Sequence, residues 1–224
     1  MRHVGNDIVD LLHPHNQGKS GNARLRKRIL LPAEEDLLYP GQSETMLWAL
    51  WTGKEAAYKA IQKDQGDITS APRRYKVQYD LTAARGKADS SPPGEQRLSG
   101  TVATPRGNVN LETFITPCHV HSIATTFAPS AAIRIVWQVE RLPGDGLPPA
   151  DESASVRLAA QRQLARYLPE SSPQDIEIRR DQGPAGLAPP AVYLRGQLTA
   201  IDISLSHDGA FVAYVFAIFS QPAA

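Results

Sequence analysis

LWALWTGKEAAYKA, residues 47–60, is the segment on which the reading of this chain turns. Its apolar residues recur at helical spacing. Ser43 and Glu44 suit a helix start, a hydroxyl to cap free N–H groups and an acid near the positive end of the dipole. After Gln62 the polar run Lys63-Asp64-Gln65-Gly66-Asp67 supplies a stop. Into this apolar helix are set Lys54, Glu55 and Lys59. Glu55 and Lys59 are one turn apart, about 5–6 Å between β-carbons, and as a surface pair would support the helix by only about 0.3 kcal/mol. Trp48, Trp51, Ala56, Ala57 and Tyr58 leave little room for a wide solvent face, however. A carboxylate between two ammoniums at the rim of a packed helix suits a hard cation together with phosphate oxygens.

Around that helix the chain divides into strands. HVGNDIVDLL (3–12) mixes β-branched residues with alternation and opens the chain as a strand. ARLRKRILL (23–31) has helical spacing, with a turn that Pro32 can start. RRYKVQYDL (73–81) alternates and is followed by a Ser/Pro/Gly-rich loop near 85–99. GTVATPRGNVNLETF (100–114) is a hairpin across residues 105–108, and HVHSIATTF (119–127) and AIRIVWQVERL (132–142) are further strands. LPGDGLPPADES (142–153) is the clearest linker. SVRLAAQRQLARYL (155–168) is an amphipathic helix. DIEIRR (175–180), a Gly/Pro loop (183–190) and the hairpin IDISLSHDGAFVAYVFAIF (201–219), turning at Asp208-Gly209, close the chain. One long helix and several strands to each side predict an α+β pseudodimer of two similar halves, each a long helix packed on a small antiparallel sheet. The halves are 1–131 and 132–224, joined by 142–153.

Composition narrows the function classes. The 224 residues are 42% hydrophobic and 21% charged, with net charge +1, so no global field points to nucleic acid or a membrane surface. The single cysteine, Cys118, excludes an internal disulfide and a cysteine metal cluster. No apolar run is long enough to span a bilayer, and the N-terminus lacks a signal-peptide pattern. A cytoplasmic, monomeric protein is expected.

Two other stretches carry possible chemistry. In VGNDIVDL (4–11) Asp7 stands beside Gly5, a residue that permits close approach of backbone or ligand. An acid here can simply end a strand at a solvated edge. Asp7 on a strand and Glu55 on a helix would also make a carboxylate pair, and Mg²⁺ takes only one or two protein carboxylates, leaving the rest to water and phosphate. In ISLSHDG (203–209) Ser204 and Ser206 share a face and His207 ends the strand. Ser206 and His207 point apart and no Gly-x-Ser-x-Gly elbow is present, which argues against a hydrolase. His119-x-His121 places two rings on one strand face, with no third metal ligand nearby in sequence.

Together these segments resemble the 4′-phosphopantetheinyl transferases. Gly5-Asn6-Asp7-Ile8 matches the family's Gly-x-Asp-Ile strand. Residues 51–59, Trp-Thr-Gly-Lys-Glu-Ala-Ala-Tyr-Lys, match its Lys-Glu helix, and Ser204-Leu205-Ser206-His207 its Ser-His segment. The order of segments is similar to a long, surfactin-synthetase-activating type with its halves permuted; a short type with a large insertion is the rival. The resemblance implies Asp7 and Glu55 as magnesium ligands and Lys54 and Lys59 near the coenzyme A pyrophosphate. It also implies Ser206 and His207 as coenzyme A phosphate contacts. Two departures stand out. Val9 replaces the long type's second acid, leaving Asp10 as the short-type alternative. The long type's Gly-Lys-Pro loop becomes Gly186-Leu187-Ala188-Pro189, for which Arg179 and Arg180 are the substitute cations.

The implied reaction moves phosphopantetheine from coenzyme A to a serine of an acyl or peptidyl carrier protein. It depends on Mg²⁺ and releases adenosine 3′,5′-bisphosphate. Glu55, or a water held near it, would be the base, and Lys59 would serve the leaving phosphate. Arg24, Arg26, Lys27 and Arg28 would steer an acidic carrier. The alternative is a non-catalytic relative that binds coenzyme A or a carrier domain without transfer.

Overall fold

The computed structural model describes residues 2–64, 68–80, 94–128, 130, 132–143, 149–183 and 186–219. The elements run β1 (Val4–Asp10), α1 (Ala23–Ile29), α2 (Pro32–Glu35), α3 (Ser43–Ile61), β2 (Lys76–Tyr79), β3 (Gln96–Thr104), β4 (Gly107–Ile115), β5 (His119–Thr125) and β6 (Ile133–Arg141). They continue with α4 (Pro149–Leu164), β7 (Ile176–Arg179), β8 (Gln182–Gly183), β9 (Gly186–Leu187), β10 (Ala191–Leu194), β11 (Gln197–Asp208) and β12 (Phe211–Phe219).

Among the described residues two five-stranded sheets form, in the orders β1-β5-β4-β3-β2 and β6-β12-β11-β10-β7, with β8-β9 as a separate ribbon. All named pairings are antiparallel. Helix α3 covers the first sheet, burying Leu47, Leu50, Ala56, Ala57 and Ala60 against Val77, Val102, Leu111, Val120 and Ala124. Helix α4 covers the second, burying Val156, Ala160 and Leu164 with Ile178, Val192, Ile203 and Phe216. Each fully buried leucine contributes about 2 kcal/mol, so these two faces, not local propensity, hold the helices in place. Between the sheets lie two smaller apolar clusters, Val4, Phe114, Ile123 and Phe127 with Val215 and Ala217, and Ile8 with Ala210, Phe211 and Ala213. The mixed α+β class with antiparallel sheets is therefore as expected from the pattern.

Several boundaries differ from the sequence reading. Ser43 is the first residue of α3 and Gln42 its cap, without a side-chain bond. Glu44 instead accepts from the backbone N–H groups of Lys19 (2.8 Å) and Ser20 (3.0 Å), tying the preceding loop to the helix start. The chain passes from one sheet to the other between Thr125 and Ile133, ahead of the Gly/Pro-rich stretch. That stretch joins β6 to α4 within the second unit, and its last residues, 149–153, are already helical; residues 144–148 lie outside the described residues. Strand β10, between Pro190 and Gly196, is too short to show a period and is recognised by its pairing with both β7 and β11. Most of the predicted 85–99 loop lies outside the described residues, but residues 96–99 belong to β3.

Strand β1 joins the two sheets. His3 O accepts from Thr126 N and Leu11 N donates to Cys118 O, so the odd-numbered backbone groups face β5 and its flanks. The even-numbered N–H groups face the other way, and three of them bond to side chains of β11. Val4 N donates to Asp202 Oδ2 (2.6 Å), Asn6 N to Ser204 Oγ (3.0 Å) and Asp10 N to Asp208 Oδ2 (2.8 Å), each pair 198 residues apart. Side-chain oxygens thus stand where a neighbouring strand's carbonyls would, and the edge of the first sheet is satisfied by the face of the second.

Candidate active site

The site begins with a missing side chain. A β-carbon on Gly5 would stand 2.0 Å from Ala56 O and 2.6 Å from Ala60 N, so only glycine lets α3 lie against β1 this closely. Ala56 and Ala60 form the contact, and the residues just before each, Glu55 and Lys59, flank it. Asp7, two residues on from Gly5, shares its face of the strand. Lys59 Nζ donates to Asp7 Oδ1 at 2.7 Å, with both side chains mostly shielded from solvent.

Electrostatics tie Glu55 into the same group. Burial and the nearby charge of Asp7 push its carboxyl up to about 7, with Lys59 pulling the other way. Burial also raises Asp7; Lys59 opposes that, and the Asp208 carboxylate adds to it. Two carboxylates therefore share one ammonium in a poorly hydrated place, and one negative charge lacks a partner. A divalent cation would supply it. Among the described residues no three or more His, Cys, Asp or Glu side chains form a metal cluster, so the protein's own ligands would number two. That donor set, hard and oxygen-only, fits Mg²⁺.

The other sequence-expected residues lie elsewhere. Lys54 is not beside Asp7. It is buried with Glu34, Nζ 2.5 Å from Oε2, and also donates to Ile29 O at 2.9 Å. Glu34 further accepts from Leu31 N (2.8 Å) and Val77 N (2.9 Å), so this pair ties α2, α3 and β2 together. One residue from Glu55 on a helix means about 100° of rotation, which turns Lys54 into the core. Asp10 has the opposite strand parity to Asp7. Its carboxylate accepts from Leu12, His13 and Ala210 N–H groups and covers Gly209, where a β-carbon would meet Asp10 Oδ2 at 2.4 Å. Val9 is buried in the core under α3.

Ser206 and His207 point to opposite faces of β11. Ser206 Oγ accepts from Asn6 Nδ2 at 2.9 Å, whereas His207 Nδ1 lies 2.7 Å from Glu152 Oε2 on α4. Arg179 and Arg180 are at β7, the outer edge of the second sheet, away from β1. Arg179 is clamped by Glu177 (2.7 Å) and Asp181 (3.0 Å) over the Tyr193 ring, and Arg180 donates to Ala188 O (2.7 Å) and Leu187 O (3.1 Å). Both guanidiniums hold their own edge and loop. Of the basic cluster, Arg24, Lys27 and Arg28 are exposed, while Arg26 donates to Ser20 O at 2.7 Å. His121 is buried and pushed down to about 3, chiefly by burial, and His119 packs on the Phe211 ring.

Some residues were not anticipated. Asn6, the variable position of Gly-x-Asp-Ile, is fully buried and reaches Ser206 in the other sheet. Asp208, read as a turn residue, accepts from Asp10 N and from Asn16 Nδ2 (2.6 Å) and acts on Asp7 by its charge. Lys63 continues the four-residue spacing of Glu55 and Lys59, and that spacing was its available signal.

No curated protein and no solved structure matches the chain. Residues 3–85, which carry Asp7, Glu55 and Lys59, match the family model of the 4′-phosphopantetheinyl transferase superfamily, the same family that the sequence motifs resemble.

Proposed function

We propose that the protein transfers 4′-phosphopantetheine from coenzyme A to a serine of an acyl or peptidyl carrier protein. The observation that carries this reading is the convergence of Asp7, Glu55 and Lys59 where β1 crosses α3. Asp7 and Glu55 would hold Mg²⁺, which when bound would neutralise pyrophosphate oxygens and the charge developing on them. Glu55, or a water held near it, accepts the serine proton as the serine oxygen bonds to the β-phosphorus. The bond from that phosphorus to the bridging oxygen breaks, and adenosine 3′,5′-bisphosphate leaves with the electron pair. Lys59, with donors beyond the one given to Asp7, steadies the departing phosphate. Among the second-sheet residues His207, one-third exposed, is retained as a contact for a coenzyme A phosphate. We further take the two sheet-and-helix units as related halves of a permuted pseudodimer acting as a monomer.

The binding-only alternative is favoured by one observation, the loss of Lys54 to the Glu34 pair, which leaves fewer cations for the pyrophosphate. Incubation with Mg²⁺, coenzyme A and an apo carrier protein separates the readings. Transfer adds the mass of phosphopantetheine to the carrier; an unmodified carrier in the presence of bound coenzyme A would establish the alternative.

A further inference from the structure

Four residues from three separate segments meet at the start of β1. At their centre Asp202 of β11 accepts through Oδ2 from Val4 N (2.6 Å) and Lys63 Nζ (2.8 Å), while its Oδ1 lies 3.0 Å from His3 Nδ1. Lys63, just past the end of α3, also donates to Val4 O (2.7 Å) and Ile203 O (2.8 Å). The second ring nitrogen of His3, Nε2, lies 3.0 Å from Asp64 Oδ1. A neutral imidazole offers one N–H; with a carboxylate at each nitrogen both must donate, so the ring is a cation in this arrangement. Lys63 and Asp202 are largely shielded from solvent, and among the described residues their charges meet each other, His3 and the strand backbones.

The cluster does not touch the proposed reacting atoms, and the Asp7–Glu55–Lys59 chemistry does not use it. It binds the same two elements, however. Lys63 stands four residues beyond Lys59, and Val4 three before Asp7, so the cluster grips α3 and β1 next to the point where they present the site. We propose that Asp202 is a positioning residue for Asp7, pinning the first residue of β1 and the end of α3 to the second sheet. His3 makes the pin sensitive to pH. Among the described residues the charged groups facing its ring are Asp202 from β11 and Asp64 after α3, with Lys63 sharing Asp202. Burial works against the imidazolium, but the two carboxylates outweigh it and hold His3 above the usual histidine range. A raised value means that the stabilisation is complete at low pH and is lost as pH rises through it.

The inference uses the proposed function only in taking Asp7 as a site residue. The test compares the wild type with Asp202→Asn and His3→Gln by two readouts, amide hydrogen exchange of β1 and affinity for Mn²⁺ as a probe metal. Asp202→Asn is expected to speed β1 exchange and to weaken Mn²⁺ binding about tenfold, as loss of a residue that orients a metal ligand does. His3→Gln is expected to weaken Mn²⁺ binding several-fold at acid pH, where the His3 cation completes the pin, and the difference from the wild type is expected to shrink as pH rises. Unchanged β1 exchange in Asp202→Asn, faster exchange with unchanged Mn²⁺ affinity, or a His3 defect independent of pH would each overturn the proposal. Should Asp202→Asn not fold, His3→Gln, at the rim of the cluster, carries the same comparison. If the wild type binds no Mn²⁺, the metal reading of Asp7 and Glu55 fails, and the pH-dependent exchange of β1 alone decides the pin.

Discussion

Lys59 Nζ meets Asp7 Oδ1 at 2.7 Å, across the crossing of a strand and a helix 52 residues apart in sequence. Glu55, one helical turn before Lys59, is pushed up to about 7 by burial and then by the Asp7 charge. A single ammonium thus faces two carboxylates, and several consequences can be measured.

Replacing Glu55 by Gln removes both a carboxylate ligand and the proposed base. Transfer to a carrier serine is expected to fall by about 10²–10⁴ in kcat, measured by mass spectrometry of the carrier over time. A loss of less than tenfold would reject Glu55 as base.

The same carboxyl has a signature in stability. Its folded value lies above its unfolded one, so the folded state favours the protonated form, and the cost of Glu55 builds as pH rises from the ordinary glutamate range to about 7 and stays level above it. Without added metal, Glu55→Gln is expected to be more stable than the wild type by about 1–2 kcal/mol near pH 8, with the difference vanishing near pH 4. Thermal unfolding across pH checks this. Added Mg²⁺ should raise the wild-type midpoint and leave that of the variant nearly unmoved.

At Gly5 the space is taken by backbone, which cannot turn aside. Gly5→Ala places its β-carbon 2.0 Å from Ala56 O and must push α3 off β1. A loss of about 3 kcal/mol is expected, read as a lower denaturant midpoint. Whatever protein remains folded should show weakened Asp7–Lys59 coupling as reduced Mn²⁺ affinity.

Lys54 tests the division between chemistry and architecture. Lys54→Met leaves Glu34 buried without its cation, and a loss of about 3–5 kcal/mol follows from stranding one member of a buried pair. The KM for coenzyme A of the folded fraction is expected to change less than twofold. A large rise in KM at intact stability would return Lys54 to the pyrophosphate.

Arg179→Ala and Arg180→Ala should likewise leave that KM unchanged. Their guanidiniums are engaged at the β7 edge with Glu177, Asp181 and the carbonyls of residues 187 and 188. Binding of coenzyme A and of its 3′-dephospho form, compared by calorimetry, would expose any 3′-phosphate contact as a selective loss.

Legibility in the sequence followed the range of the interactions. Strand β1, helix α3, the β3–β4 hairpin (its turn one residue earlier than the 105–108 read) and the β11–β12 hairpin were readable because alternation, helical spacing and turn residues are local properties of the chain. Ser43 falls one residue inside the helix instead of at its cap, and its hydroxyl and the Glu44 carboxylate both reach residues 19–20, a contact no local pattern announces. The candidate pair Asp7 and Glu55 was legible as residue types, and Gly5 as a point of close approach. What approaches it, the backbone of α3, was not.

The residues alone settled the longer elements and which side chains can carry charge chemistry, since both follow from pattern and functional groups along a few turns. Rotation about α3 sent Lys54 into the core and Lys59 to Asp7, although both are lysines of one motif. Strand parity separated Asp10 from Asp7 and His207 from Ser206. Contacts nearly 200 residues apart, from β1 to the side chains of β11, placed the second sheet against the first. Such pairings depend on which buried charges find partners once the sheets pack, and that information exists nowhere in a local stretch of chain.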